Sequence, residues 1–328
     1  MTPAIRSCQL ASLADVPHPF PYQGSKRGLA HSIIRLLPED TTEFVEPFAG
    51  SGAMSIAARH TGAAASASLS DVNEPLMALW GRILDDPDGL AADYEAVWTE
   101  QSADPRAYYD EARRKFNATG EPHLLLYLLN RCVKAAVRYS KTGEFNQSAD
   151  NRRLGAKPAT VRKRIATTSA TMKGSHVVAG DYASALFATP AGGVCYLDPP
   201  YQGVTNVADH RYLHGLERAG FEAVLRDAVT ADVSFLVSYD VVTQDNKYGE
   251  QLSPTLGLTH LHLHAGRSSQ ATLSGEKVDT VESLYLSPAL VARLGGEQQV
   301  YDRVRAAADA AGEPVEEWVA SRFDRLLE

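Results

Sequence analysis

Four consecutive apolar residues, Val194-Cys195-Tyr196-Leu197, run directly into Asp198-Pro199-Pro200-Tyr201. That junction limits the folds open to the chain more than any other stretch. An apolar run of this length, bounded by a turn, reads as a buried strand. In an open α/β sheet, ligands bind at the carboxyl ends of the strands. Asp198 to Tyr201 are therefore expected at the edge where the chemistry sits.

The residue types answer a particular demand. An amine conjugated to a ring is a weak nucleophile, and it gains positive charge as it attacks a methyl group carried on the sulfonium of S-adenosylmethionine. The Asp198 carboxylate and the Pro199 carbonyl can accept its two N–H bonds and stabilise that charge by electrostatic preorganisation. Two prolines fix φ and hold the turn rigid. Tyr201 offers a flat face on which a base rotated out of a duplex can stack. A plain tight turn is the alternative, because Pro-Pro is a common punctuator.

Upstream, Pro21-Tyr22-Gln23-Gly24-Ser25-Lys26-Arg27 leads into an amphipathic helix (Leu29, Ile33, Ile34, Leu37) expected to end at Pro38. Free N–H groups and a cation at a helix start suit a carboxylate or phosphate, although the Walker spacing is incomplete. Next, Glu43-Phe44-Val45-Glu46-Pro47-Phe48-Ala49-Gly50-Ser51-Gly52 reads as a strand, a glycine-rich turn and the start of a helix. Gly50 and Gly52 permit positive φ and close approach of backbone to a ligand. Asp71, at the end of the next strand, is placed to bind ribose hydroxyls. A nicotinamide-dependent dehydrogenase shares this layout, but the third glycine of its fingerprint would fall at Ser55.

Helices are expected over Pro75 to Leu84, Leu90 to Glu100, Asp104 to Phe116 and Pro122 to Tyr139. Arg138 to Asn146, polar and aromatic about a turn, reads as a β-hairpin finger. The net charge of −8 argues against a nucleic-acid partner, but its distribution argues for one. Residues 131–173 carry eleven Lys or Arg against Glu144 and Asp150, a local +9 that leaves −17 elsewhere. A basic segment on an acidic body is the footprint a phosphate backbone selects; a solvated helix face is the alternative. Strands follow at Val177 to Ala179, Val233 to Ser238, Leu258 to His264 and Thr280 to Leu286, with a helix over Phe221 to Val229.

In this order, glycine-rich motif, basic insert and Asp198-Pro199-Pro200-Tyr201, the chain resembles the Dam-like (D12 class) adenine-specific DNA methyltransferases from Tyr22 to about Ser287. The resemblance implies a class I S-adenosylmethionine-dependent methyltransferase fold, a mixed, mainly parallel sheet with helices on both faces and a helical, basic target-recognition insertion. It implies a catalytic domain from 1–84 and 175–290, an insertion at 85–174 and a helical tail at 291–328. Cofactor contacts would come from Tyr22, Gly24, Lys26, Glu46, Pro47, Phe48, Gly50 and Gly52, with Asp71 on the ribose and Asp181 and Tyr182 at the adenine. Asp198, Pro199, Pro200 and Tyr201 become the catalytic motif. Arg138, Lys141 and Asn146 fall in the DNA-probing hairpin, with Arg152, Arg153, Arg162, Lys163 and Arg164 as further DNA contacts. Many members continue Phe-Asn-Val-Pro, whereas here Phe145-Asn146 is followed by Gln147-Ser148, so base preference does not transfer.

The implied reaction is methylation of N6 of adenine in double-stranded DNA at a short site by base flipping. N4 of cytosine, N6 of adenine in RNA, or an inactive DNA-binding protein on the same scaffold are the alternatives. The expected setting is the cytoplasm, as a monomer or weak dimer, with a cognate restriction endonuclease as a partner if the chain belongs to a restriction pair. No apolar run approaches bilayer length, and no secretory signal is expected at the N-terminus. Cys8, Cys132 and Cys195 are spaced unlike a zinc or disulfide framework. His260, His262 and His264 share one strand face, read as a polar face rather than a metal site.

Overall fold

The computed structural model describes residues 13–200, 217–243, 246–248, 251–267 and 279–311. Tyr201, Cys8 and residues 312–328 lie outside the described residues. One eight-stranded sheet organises the chain: β1 (Glu43–Glu46), β2 (Ser66–Asp71), β3 (His176–Ala179), β4 (Val194–Leu197), β5 (Phe235–Thr243), β6 (Asn246–Tyr248), β7 (Thr259–Arg267) and β8 (Asp279–Leu286). Their order is β3-β2-β1-β4-β5-β8-β7, with β6 paired to β5. Strands β3, β2, β1, β4 and β5 are parallel, while β8 runs antiparallel to both β5 and β7.

Each strand sends alternate side chains to opposite faces, so both faces are apolar. Phe44, Tyr196, Leu236, Leu261 and Leu284 build one core. Val45, Cys195, Leu197, Val237 and Tyr285 build the other. The first core is closed by α1 (Ala30–Ile33) between short 3-10 turns, by α2 (Ala53–His60), and by α11 (Glu297–Ala311), the helix expected in the tail. Over the second lie α8 (Tyr182–Phe187) and α9 (Arg218–Thr230), through Leu186, Phe221, Leu225 and Ala228. A last short helix, α10 (Pro288–Arg293), follows β8.

Between β2 and β3 the chain leaves the sheet and builds helices α3 (Glu74–Asp85), α4 (Pro87–Glu100), α5 (Pro105–Thr119), α6 (Pro122–Arg131) and α7 (Pro158–Thr171). The starts are written in the sequence: Asn73, Asp86 and Asp104 cap α3, α4 and α5 through their side chains, each followed by proline in the first turn. Leu124 to Arg131 are all buried in α6, which places that helix at the centre of the insertion.

Two expectations are corrected here. The helix expected to reach Tyr139 stops at Arg131. Lys134 and Ala135 take positive φ of 58° and 51°, and Cys132 bridges Ala149. Arg131, 1% exposed, sends its guanidinium to the carbonyls of Asp150, Arg153 and Pro105. It terminates the helix and ties down the returning strand of the finger. The second correction is α7, read from composition only as a basic stretch. Val161, Ile165, Thr168 and Met172 bury one stripe, an i, i+4 pattern hidden among the charges.

Candidate active site

The strand order reverses between β1 and β4, the topological switch point where an open α/β sheet presents a crevice. Glu46 and Asp198 stand at the carboxyl ends of these two neighbouring strands. Lys26, 172 residues from Asp198 in sequence, donates to both of its oxygens, at 2.9 and 3.0 Å. The two side chains are only 12% and 18% exposed. Lys26, expected at the cofactor, is thus held on the Asp198 carboxylate. Pro199 is buried and Pro200 partly buried.

Glu46 is buried and accepts from the backbone N–H of Ser55 at 2.8 Å and from its hydroxyl at 2.5 Å. Ser55 is the position where a dinucleotide fingerprint would need its third glycine; its hydroxyl serves Glu46 instead. Burial pushes the Glu46 carboxyl up to about 7, opposed by the Ser55 donors and reinforced by Asp198. Because the folded state holds this proton above the ordinary carboxylate range, its contribution to stability falls as pH rises from about 4.5 to about 7. Glu46→Gln is expected to flatten that fall in urea midpoints taken between pH 5 and 8. An unaltered slope would show that Glu46 ionises normally in the folded protein.

The glycine-rich turn is set by packing as much as by ligand access. Gly50 takes φ +47°, and a Cβ there would stand 3.1 Å from the Tyr22 ring. Gly52, at φ +60°, would drive a Cβ to 2.7 Å from both Leu69 and Trp80. Trp80 also donates its indole N–H to the Gly50 carbonyl at 3.0 Å. Asp71 braces the same turn, accepting from the backbone N–H groups of Gly50 at 3.2 Å and Asn73 at 3.0 Å. Burial raises its carboxyl above the usual range. Gly24 takes φ +88° with open space around it.

Beyond β3, Asp181 caps α8 by accepting from the N–H groups of Ala183 and Ser184 and from the Ser184 hydroxyl. Those donors hold its carboxyl below the ordinary value. Tyr182 stacks on Phe48 with ring centres 5.2 Å apart and planes at 22°, which joins the loop after β1 to the helix after β3. An acid at the end of β2, a stacked aromatic pair and a tight glycine turn on one sheet edge fit an adenosyl group. Of the described cysteines, Cys132 and Cys195 are both free and buried. Burial pushes the Cys132 thiol up to about 12 and the Cys195 thiol higher, so neither presents a thiolate.

The finger forms as a hairpin: Tyr139 bridges Phe145, the Asn146 N–H donates to the Arg138 carbonyl at 2.9 Å, and Gly143 turns at φ +81°. Its root is clamped. The Tyr139 hydroxyl bonds Asn73, two residues from Asp71, and Asn117 grips the backbone of Phe145 on both sides. Arg138, Lys141 and Asn146 project from that rigid base into solvent. Arg152 and Arg153 both pair with Asp150. Residues 162–164 do not share one surface, since consecutive helical positions are 100° apart. Arg162 pairs with Glu95 of α4 at 3.1 Å and Lys163 is exposed. Arg164 instead lies within electrostatic reach of Arg27 and His18. A cavity of about 420 Å³ opens there, lined by His18, Tyr22, Arg27, Ser51, Lys134 and Arg153. Burial first, then Arg27 and Arg164, push His18 down to about 4, so it is neutral near pH 7.

On the outer strands, His260 stacks on Tyr285 with ring centres 4.2 Å apart and planes at 10°, and His262 lies 4.4 Å from His260. The His264 side chain is outside the described residues. Among the described residues no helix is long and apolar enough to cross a membrane.

Sheet order, switch-point crevice and acid-proline turn together define a class I methyltransferase. The sequence profile of the D12 class N6 adenine-specific DNA methyltransferases matches residues 22–267, most of the chain. The protein belongs to that family. It is 25% identical over 197 residues to a DNA adenine methylase of Serratia marcescens, covering 59% of this chain and 70% of that one. A DNA N-6-adenine-methyltransferase of Escherichia phage P1 is 27% identical over 209 residues, 59% of this chain and 26% of its own length. A type II methyltransferase of Lactococcus lactis subsp. cremoris is 24% identical over 191 residues, covering 55% and 64%.

Proposed function

We propose that the chain methylates N6 of adenine in double-stranded DNA at a short specific site, acting on a base flipped into the crevice beside Asp198. The observation that carries this is the pairing of a part-buried acid-proline turn with a rigid, cation-tipped hairpin rooted two residues from Asp71. S-adenosylmethionine supplies the methyl group on a positively charged sulfur. The residues fit it: Asp71 for the ribose, the Phe48–Tyr182 pair beside the adenine, and the Gly50 to Gly52 turn against the rest.

Asp198 and the Pro199 carbonyl accept the two N–H bonds of the target amine. They stabilise the positive charge that appears on nitrogen while its lone pair forms the C–N bond and the C–S bond breaks toward sulfur. After transfer the nitrogen passes one proton to solvent and returns to neutrality. Flipping is required because a paired amine points into the duplex; extrusion costs a few kcal/mol. Tyr201 returns part of this by stacking, roughly 1–3 kcal/mol. The chain acts in the cytoplasm as a monomer or weak dimer, with a cognate endonuclease where it serves a restriction pair. Residues 85–174 form the target-recognition unit, between the two parts of the catalytic domain.

Readout and positioning divide by location. Lys141 stands in the turn of the hairpin and Arg138 and Asn146 at its base, whereas Lys163, Arg164 and Arg152 lie on the body of the insertion. Alanine at the first three should change which duplex sites receive a labelled methyl group. Alanine at the second three should weaken binding alike on all sequences and lower its salt slope. A reversal of those two outcomes would move the reading head to α7.

A further inference from the structure

Glu282 is an acid that none of the sequence motifs accounts for. It lies in β8, in register with Leu263 of β7 and Val241 of β5. It shares the inward face of Leu284 and Leu286, and it is 8% exposed. Its Oε2 has no hydrogen-bond partner among the described residues. Burial pushes its carboxyl up to about 7, while Lys26 draws it down and Asp198 raises it, so the members of the active-site ion pair both act on it. Among the described residues the Tyr196 hydroxyl, hydrogen-bonded to Ser238 at 2.9 Å, is a further titratable group within its reach.

The ion pair poses a problem that Glu282 solves. Lys26 occupies both oxygens of Asp198, and those are the acceptors the target amine needs. A cation left there would also repel the charge developing on the amine. Yet an ammonium 12% exposed cannot be released without another anion, because a buried unpaired charge is strongly destabilising. Glu46, the other acid beside Asp198, has its Oε2 committed to both Ser55 donors. We infer that Glu282 is a positioning residue which receives the Lys26 ammonium when the target amine takes over Asp198, keeping the cation paired while the carboxylate is freed as an acceptor. This rests on the reading of Asp198 as the amine's acceptor.

Single-turnover methylation of a duplex tests it with Glu282→Gln, Glu282→Asp and each combined with Lys26→Met. Glu282→Gln should slow the methyl-transfer step roughly 10- to 100-fold, the scale of a misplaced catalytic group. Affinities for S-adenosylmethionine and DNA should stay within a few-fold, and the melting temperature should not fall, since the change removes a buried charge without removing bulk. Glu282→Asp, which keeps the charge, should recover much of the rate. In the Lys26→Met background Glu282→Gln should cost nothing further, because the two residues act through one contact. A Gln variant as fast as the parent overturns the inference. So does an equal loss in Gln and Asp with lowered melting temperature, or a Gln loss undiminished in an active Lys26→Met background. Asp198→Ala separates the two levels. Retained turnover there removes the acceptor reading itself, whereas a dead Asp198→Ala beside a fully active Glu282→Gln removes only the hand-over.

Discussion

Asp198→Ala is expected to lower the methyl-transfer rate by at least roughly 1000-fold, the upper range for deleting one preorganised electrostatic partner. S-adenosylmethionine affinity should stay within a few-fold. The asymmetry follows from where the carboxylate points. It is committed to Lys26 and, in the proposed reactive complex, to the target amine. The groups proposed to hold the cofactor, Asp71 and the Phe48–Tyr182 stack, sit over β2, β1 and β3. A group that acts only as charge develops on nitrogen lowers the rate and leaves ground-state binding alone. Burst amplitudes and cofactor titrations on the same preparation give both numbers. A loss of cofactor affinity as large as the loss of rate would make Asp198 a cofactor anchor.

Gly52→Ala is expected to destabilise the fold by about 2–5 kcal/mol, combining left-handed strain with overpacking against a filled site. The methyl would enter space held by Leu69 and Trp80, and Trp80 could move only by abandoning the Gly50 carbonyl. Gly120 supplies the control: it takes φ +67° with nothing within 4 Å of its Cβ position. Gly120→Ala should therefore cost only the strain, about 1–2 kcal/mol. The difference in urea midpoint between the two variants at constant m isolates the packing part. Equal costs would mean that Trp80 yields freely and that the turn is not fixed by it.

What the sequence shows of this molecule is what depends on neighbours in the chain. β4 is bounded at Val194–Leu197 as expected because an apolar run and a proline pair mark both ends. Asn73, Asp86 and Asp104 announce their helices because capping is local. What depends on distant partners is not legible. Nothing near Lys26 points to Asp198, and nothing near Gly52 points to Trp80, so a glycine read for ligand access proves walled by an indole. The end of α6 is set by a guanidinium reaching carbonyls of the returning strand rather than by a glycine cap. Glu282 did leave a trace, a lone acid at the inward parity of β8 beside Leu284 and Leu286. Period-two patterning weighs apolar residues and passes over a single charge among them.

Methylation of adenine in duplex DNA through Asp198 leaves a mark that can be read directly. DNA from a bacterial host lacking adenine methylation, expressing either the parent chain or Asp198→Ala, should be digested to nucleosides and also sequenced with detection of modified bases. N6-methyladenine confined to one short sequence context in the parent, and absent with Asp198→Ala, is the predicted result. Methyl groups on N4 of cytosine or in RNA alone, no modified base in either culture, or the same adenine marks with both proteins, would contradict it.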